Sequence, residues 1–458
     1  MAENTQLRAR VKELEARLAD LEERIGRTPR NSSMPPSAEG LSKPPLTRAQ
    51  RKAHKRKPGK QPGTEGKHLA QVAEPDEIVT HVPETCDSCG TDLGDAPVTD
   101  VERRQVFDLP DIVLVVTEHI AERRRCACGC TTKAAFPKAA TAPAVYGPGV
   151  RALAAYLAVH QHLPLDRTAQ LFGDVLGQEV SVGALSQMVT EAAAGTTEFT
   201  EHVRMLLRGA DTVHFDETGS RVNSRLAWVH GASNDWLTLL DCHLRRGRVA
   251  MEDMGVLASM TGIAVHDGWR PYRKFSVTHA LCNAHHLREL AGVGVVWDQG
   301  WASDLADLLI EAKGAVEAAK DRGATSLDPT TLHSIRVRYG TLAAKGFGAN
   351  PAPADRKRHG YEKKAYNLLV RLDTQRADVL RFCHDFRAPF TNNQAERDIR
   401  MVKLQQKISG SWRTMAGARN FCAIRSYIST MRKNHHDVLG GLRLLFEGQV
   451  WLPGGAET

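Results

Sequence analysis

Between Asp211 and Leu281 the hydrophobic period changes from helical to alternating, and the order of the resulting runs restricts the fold more than any other feature of the chain. Residues 212–216 read as a strand, and 225–231 and 236–242 as two more, the last two joined by a hairpin turn at Asn234-Asp235. Residues 248–260 have helical spacing, 262–266 form a fourth strand that ends at Asp267, and 277–281 a fifth. From Leu287 to about Phe386 the pattern is helical, with amphipathic stretches at 305–319 and 361–380, and a last helix is expected from Asn393. Three antiparallel strands, a helix, two further strands and a closing helix is the element order of a ribonuclease-H-like fold, in which the first and fourth strands lie side by side.

Fold alone does not give function; the placement of the acids does. Asp216 falls at the end of the first strand, Asp267 at the end of the fourth, and Glu396 on the helix after the long helical stretch. Three carboxylates so arranged offer hard oxygen ligands to Mg²⁺ or Mn²⁺. Two such ions ~4 Å apart activate a water or a 3′-hydroxyl and stabilise the leaving oxygen, which is in-line phosphoryl transfer on nucleic acid. Glu396, Arg400, Lys403 and Lys407 recur at helical spacing and share one face, with Arg397 beside them and Ala395, Ile399 and Val402 as a neighbouring apolar stripe. An acid flanked by cations fits a metal ligand beside a phosphate track. Taken singly, Glu396 also suits a solvated ion pair with Arg400, and the two aspartates suit strand-end caps; their joint agreement with the element order favours the catalytic reading. Glu217 is expected on the opposite face of the strand and ranks second. Cys282, His285 and His286 lack a partner knuckle and read as positioning or DNA-contact residues, and Asn392-Asn393 as a cap of the last helix.

Upstream, Leu7, Val11, Leu14, Leu18, Leu21 and Ile25 give a heptad seam about three repeats long, which favours self-association through a coiled coil. It stops at Gly26. Between Leu41 and His68 lie nine Lys or Arg and one Glu among several Pro and Gly, so this segment reads as a flexible basic tether. Residues 59–67 lack the glycine and Lys-Ser or Lys-Thr spacing of a phosphate loop. Cys86-Asp-Ser-Cys89-Gly90 is a thiolate knuckle, and Cys126-Ala-Cys128-Gly129-Cys130 a second, with a strand-like run at 112–120 between them. Two knuckles at this separation suit a tetrahedral Zn²⁺ ribbon. Cys126 and Cys128 are the expected second pair because Cys-Gly repeats the form of the first. Further on, 163–172, a stop at Gly177 and a cap at Ser181 describe two short helices joined by a tight turn, a helix-turn-helix equally suited to reading DNA and to plain packing.

The chain has 458 residues with 61 Lys and Arg against 53 Asp and Glu, a formal charge of +8 that favours a polyanionic partner. The N-terminus is too charged for a secretory segment and no run approaches the roughly 20 apolar residues of a spanning helix. A soluble, cytoplasmic protein without a membrane partner is expected. Nine cysteines, five of them in two tight groups, point to metal rather than disulfides.

Across nearly its whole length the chain resembles the insertion sequence 66 family of bacterial transposases. The resemblance rests on the zipper start, Asn31-Ser-Ser-Met-Pro-Pro-Ser37, Gly59-Lys-Gln-Pro-Gly63 with Glu65-Gly66, and the cysteine knuckles. It continues through Asp216-Glu217-Thr218, His266-Asp267-Gly268-Trp269, Cys282-Asn-Ala-His285 and Asn392-Asn393-Gln-Ala-Glu396-Arg397. The chain departs from the family in setting Cys126 and Cys128 one residue closer than the usual pair. The resemblance implies that the acidic triad is Asp216, Asp267 and Glu396, that a helical stretch interrupts the catalytic domain before Glu396, and that accessory proteins of the element take part. The expected organisation is multidomain α+β: coiled coil 1–28, basic linker 29–75, zinc ribbon 76–140, helix-turn-helix region 141–205, ribonuclease-H-like core 206–286 and 391–450, and helical insertion 287–390. The expected function is a DNA transposase that binds inverted-repeat ends as a homo-oligomer, cleaves, and joins to target DNA. A nuclease of the same fold, or a DNA-binding regulator without catalysis, are the competing classes.

Overall fold

A computed structural model describes residues 69–137, 139–296, 298–352 and 361–454. The coiled coil expected at 1–28 and the basic tether up to residue 68 lie outside the described residues. The described residues divide into two compact units, one up to residue 116 and one from residue 117 onward.

In the smaller unit the described residues form neither helix nor ladder. They are held by local turns and by bonds such as Val72 N–H donating to Gln105 Oε1 at 2.8 Å. An isolated bridge between Thr85 and Asp92 closes the loop that carries Cys86 and Cys89. The run 112–120, expected as a strand, has no ladder partner among the described residues, and Ile112, Val113, Val115 and Val116 are exposed. A β-branched run favours extended backbone, but a strand exists only where its N–H and C=O groups meet a second one.

The larger unit opens with a short antiparallel hairpin, β1 (Arg123–Arg125) with β2 (Thr131–Lys133), around the second cysteine group. Four helices follow: α1 (Pro148–Ala155), α2 (Leu165–Leu176), α3 (Val182–Gly195) and α4 (Thr197–Gly209). Gly177 takes the left-handed φ of 63° that stops α2, and Ser181 Oγ accepts the Ala184 N–H to start α3. The helix it starts continues to Gly195. Phe172, Leu185 and Met188 close a small core there against Ala154 of α1.

The sheet consists of β3 (Thr212–Val222), β4 (Arg225–Ser233), β5 (Thr238–His243), β6 (Ile263–His266) and β7 (Thr278–Leu281), with α5 (Arg248–Met254) between β5 and β6. Its spatial order is β5-β4-β3-β6-β7; β4 is antiparallel to both β3 and β5, and β6 and β7 run parallel to β3. Two expectations need correction. The first strand does not end at Asp216 but continues to Val222 and turns through Asn223 and Ser224, both left-handed at φ 46° and 61°. Asp216 therefore sits mid-strand, opposite Gly231. The helix after β5 ends at Met254, because Gly255 at φ 71° breaks it, rather than at 260.

Between β7 and the next long helix come α6 (Asn283–Ala291), α7 (Gly300–Lys320), α8 (Pro329–Ala349), α9 (Tyr361–Thr374) and two single turns, α10 (Arg376–Val379) and α11 (Arg381–His384). α12 (Asn393–Ser409) starts where expected but is not the last, since α13 (Met415–Lys433) and α14 (Val438–Phe446) follow it. Helices finish both edges of the sheet. On β5 the Thr238 and Leu240 N–H groups donate to Thr430 Oγ1 at 3.0 Å and Ser426 Oγ at 2.8 Å, both from α13. On β7 the His279 carbonyl accepts Arg381 Nε at 3.2 Å. Edges so occupied do not recruit another strand.

β6 is registered on β3 through the Ile263 N–H, which donates to Asp211 O at 2.8 Å. The approach leaves no room at the preceding residue, where a Cβ on Gly262 would lie 2.2 Å from Ala210 O and 2.5 Å from Asp211 O. Gly262→Ala is therefore expected to cost about 1–3 kcal/mol, read as a lower melting temperature. An unchanged melting temperature would show that this contact does not set the strand.

Candidate active site

Continuing the ladder registers beyond their last pairs places the site. His214 pairs with Val265 and His266 with Leu281, so Asp216, Asp267 and Cys282 lie level with one another across β3, β6 and β7. Side chains alternate along a strand: Phe215 and His266 lie toward Tyr272, with His266 stacked on its ring at 4.4 Å. His214 turns the other way and bonds Asn392, so Asp216 shares its face with the start of α12.

Asn392 fixes that start, and not as a cap. Its side chain makes no capping bond to α12. Instead its Oδ1 lies 2.9 Å from His214 Nδ1, its Nδ2 donates to Phe215 O at 2.7 Å, and its own N–H donates to Cys282 Sγ at 3.1 Å. Glu396 follows in the first turn of α12. Its Oε1 lies 3.6 Å from Arg288 Nη2 and 3.7 Å from His285 Nδ1, both on α6, rather than against Arg400.

The acids sense one another. Burial holds the Asp216 carboxyl well above the usual carboxylate range, and the charges of Glu217, Asp267 and Glu396 push the same way. Among the described residues, the donor atoms that converge within 4.8 Å of one another are those of Cys282, His285 and Glu396, and the three acids do not close to that distance. Glu396 Oε1 is buried and has no hydrogen-bond partner. A cluster of repelling carboxylates with an unsatisfied oxygen is the condition that a hard cation relieves.

Glu217, the second-ranked acid, is an anchor. Its side chain is 2% exposed, accepts Tyr272 OH at 2.6 Å and pairs with Arg246 Nη2 at 2.7 Å. Arg246 in turn lies over the rings of Trp269 at 3.9 Å and Trp228 at 4.7 Å. Sequence reasoning missed Tyr272, Arg246 and Arg288. Only Tyr272 carried a signal, its closeness to Asp267, because nothing in the sequence pairs the other two with their acids.

The basic residues expected to contact DNA divide. Arg397, Arg400 and Lys407 are exposed on α12. Lys403 is half-buried and donates its Nζ to Gly219 O of β3, which ties the helix to the strand and removes it from a phosphate track.

Each cysteine group forms its own turn. In the first, Gly90 N–H donates to Cys86 O at 2.9 Å with Gly90 left-handed at φ 72°. In the second, Gly129 N–H donates to Cys126 O at 2.9 Å with Gly129 at φ 87°, a turn one residue tighter. In both, the left-handed glycine directly follows a cysteine, Cys89 or Cys128.

Residues 143–420 match the family described as Transposase IS66 family, a span that contains β3–β7, α1–α12 and all three acids. The chain belongs to the IS66 transposase family. Residues 83–129 match the zinc-finger binding domain of transposase IS66, a span that includes Cys86, Cys89, Cys126 and Cys128 and stops before Cys130. Residues 1–70 match a family of unknown function, and a search of curated proteins gives no match. Membership in the IS66 family implies an enzyme that binds and processes DNA, and the zinc-finger match implies structural zinc. No described helix is long and apolar enough to cross a membrane.

The Asp216 electrostatics has a measurable sign. A carboxyl whose pKa is raised on folding binds its proton more readily in the folded state, so stability falls as pH climbs from the unfolded to the folded value. Asp216→Asn removes that penalty. Without added metal, the variant should melt a few degrees above the parent at about pH 8, and the difference should shrink on acidification toward about pH 4. Identical melting curves across that range would remove the proposed repulsion.

Proposed function

We propose that this IS66 member is a transposase of the DDE type, with Asp216, Asp267 and Glu396 as its acidic triad on a ribonuclease-H-like domain interrupted by the helices of 287–390. The observation that carries the reading is the level placement of Asp216 on β3 and Asp267 just past the end of the neighbouring parallel β6, with Glu396 on a helix pinned to β3. A mixed sheet in the order β5-β4-β3-β6-β7 supports the fold assignment.

The donor set fits a hard divalent cation. Asp216, Asp267 and Glu396 would hold Mg²⁺ or Mn²⁺, which when bound would supply Lewis-acid stabilisation of charge on the phosphodiester and acidify the attacking hydroxyl. The remaining work falls to the chain. Arg288 and His285 orient Glu396 from α6. The backbone N–H groups of Glu217 and Trp269 fix the Asp216 and Asp267 carboxylates at 2.9 and 2.8 Å. Arg397, Arg400 and Lys407 present cations on the exposed side of α12 to a DNA backbone, and α2 and α3 serve as the helix-turn-helix that grips inverted-repeat ends. The cleaved end then attacks target DNA. The heptads of 1–28 assemble the oligomer and the basic linker adds salt-dependent affinity.

The test is incubation of the protein and Mg²⁺ with a supercoiled plasmid carrying the DNA that flanks its gene, followed by mapping of new 3′ ends and joined products. Asp216→Ala, Asp267→Ala and Glu396→Ala should each lose cutting and joining by at least about a thousandfold while still binding the ends. Cutting retained by any of them would sink the triad; cutting without joining by the parent would indicate a nuclease.

For zinc, we propose Cys86, Cys89, Cys126 and Cys128 as the ligands. Metal analysis of purified protein should find one zinc per chain, retained in Cys130→Ser and lost in Cys128→Ser. The reverse pattern would move the fourth ligand to Cys130.

A further inference from the structure

The helical turn that continues α1 and the C-terminal half of α13 bring together a group of nitrogen atoms with no acid among them. His160 and His162 face Arg425 and Arg432. Arg425 Nη1 lies 2.7 Å from His160 Nδ1, and Arg432 Nη1 contacts His160 Nε2. Burial, reinforced by the Arg425 charge, pushes both imidazoles down to about 4. At neutral pH each therefore carries one N–H and one lone pair. A neutral imidazole accepts at one nitrogen only, yet both nitrogens of His160 face guanidinium donors, so one contact sets donor against donor.

The neighbours do not resolve the excess. His162 is 2% exposed, with neither Nδ1 nor Nε2 partnered, and Arg425 is 8% exposed with an unpartnered Nε. Neither guanidinium forms an ion pair with a carboxylate among the described residues. Asp398, whose field reaches Arg425, is already bonded to Lys433 at 2.7 Å. His162 also holds a left-handed φ of 58°, a conformation that costs a residue bearing a Cβ and so has to be imposed by its surroundings. A buried guanidinium that faces neutral imidazoles and no paired carboxylate is unfavourable unless an anion completes its surroundings. Arg432 is exposed and opens the cluster to solvent.

We propose that His160, His162, Arg425 and Arg432 form a binding site for a backbone phosphate of DNA, separate from the acids. The proposal rests on the reading of the chain as a DNA-processing enzyme, and location selects DNA over a free anion. His162 stands just ahead of α2, the first helix of the proposed DNA-reading pair. Ser409, the last residue of α12, donates its Oγ to His162 O. The helix that carries Glu396 in its first turn thus reaches this cluster with its last, about 20 Å away at the rise of an α-helix. The cluster thus adjoins both α2 and the far end of the helix that carries Glu396, so a phosphate held here is available to a strand that engages both.

The test uses the full chain, a labelled duplex of unrelated sequence, and a salt titration. R432Q, at an exposed position, should keep the parent melting temperature, lower the affinity by up to roughly tenfold at about 0.1 M salt, and reduce the slope of log K against log salt by about one. R425Q should do the same, with its melting temperature monitored because Arg425 is buried. Inorganic phosphate should raise the melting temperature of the parent and not of R432Q. Unchanged affinity and slope in R432Q would overturn the proposal, as would loss of the phosphate response alone, which would mean a small-anion site. Cutting retained in Asp216→Ala, with the slope still altered in R432Q, would sink the triad and leave this site standing.

Discussion

One asparagine fixes the relation between the sheet and the helix that crosses it. Asn392 occupies the position of a helix cap but directs both ends of its amide to β3, and its backbone N–H to the sulfur at the end of β7. The groups it bonds are the two residues before Asp216 and the residue level with Asp267. Glu396 comes one turn later, so its height and rotation over the sheet follow from those three bonds and not from its own contacts. Leaving any one of these buried groups without a partner costs about 1–3 kcal/mol, enough to make the docked arrangement strongly preferred.

The order of elements was legible in the sequence because alternation and helical spacing differ sharply between 211 and 281. The boundaries made by single residues, Gly177 and Ser181, were legible for the same local reason. What escaped depended on tertiary pairing. β3 runs past Asp216 through Thr218, Gly219 and Ser220, which carry no apolar alternation, because β4 supplies the ladder and Lys403 bonds its backbone from above. Asn392 looked like a cap because capping is what asparagine does in isolation. The run 112–120 looked like a strand because its residues prefer extended backbone, a preference that cannot supply the second set of hydrogen bonds. At the acids, identity was readable and grouping was not: the approach of Cys282 and His285 to Glu396 depends on the start of α6 meeting the first turn of α12.

Two adjacent carboxylates on one strand meet opposite fates through side-chain alternation. Glu217 enters a pocket where Tyr272 and Arg246 satisfy it, and two tryptophan rings stack against the Arg246 guanidinium. Asp216, one residue earlier, faces other acids with only a backbone N–H in support. The stable member of the pair holds the strand rigid while the unstable one is presented to whatever binds above it. Such strain persists only when the surrounding structure over-determines it, and β3, central in the sheet and paired on both sides, is the most constrained strand available.

The distance along the chain between Asp267 and Glu396, well over a hundred residues, has a consequence for biosynthesis. Translation delivers α2, α3 and the first two acids long before α12 exists, and sheet pairings of high sequence separation form slowly. A nascent chain therefore presents α2, α3 and most of the sheet while its set of carboxylates is still incomplete. Completion waits until Asn392 has left the ribosome and docked, and truncation anywhere in the helical stretch leaves a product that lacks its third acid for good.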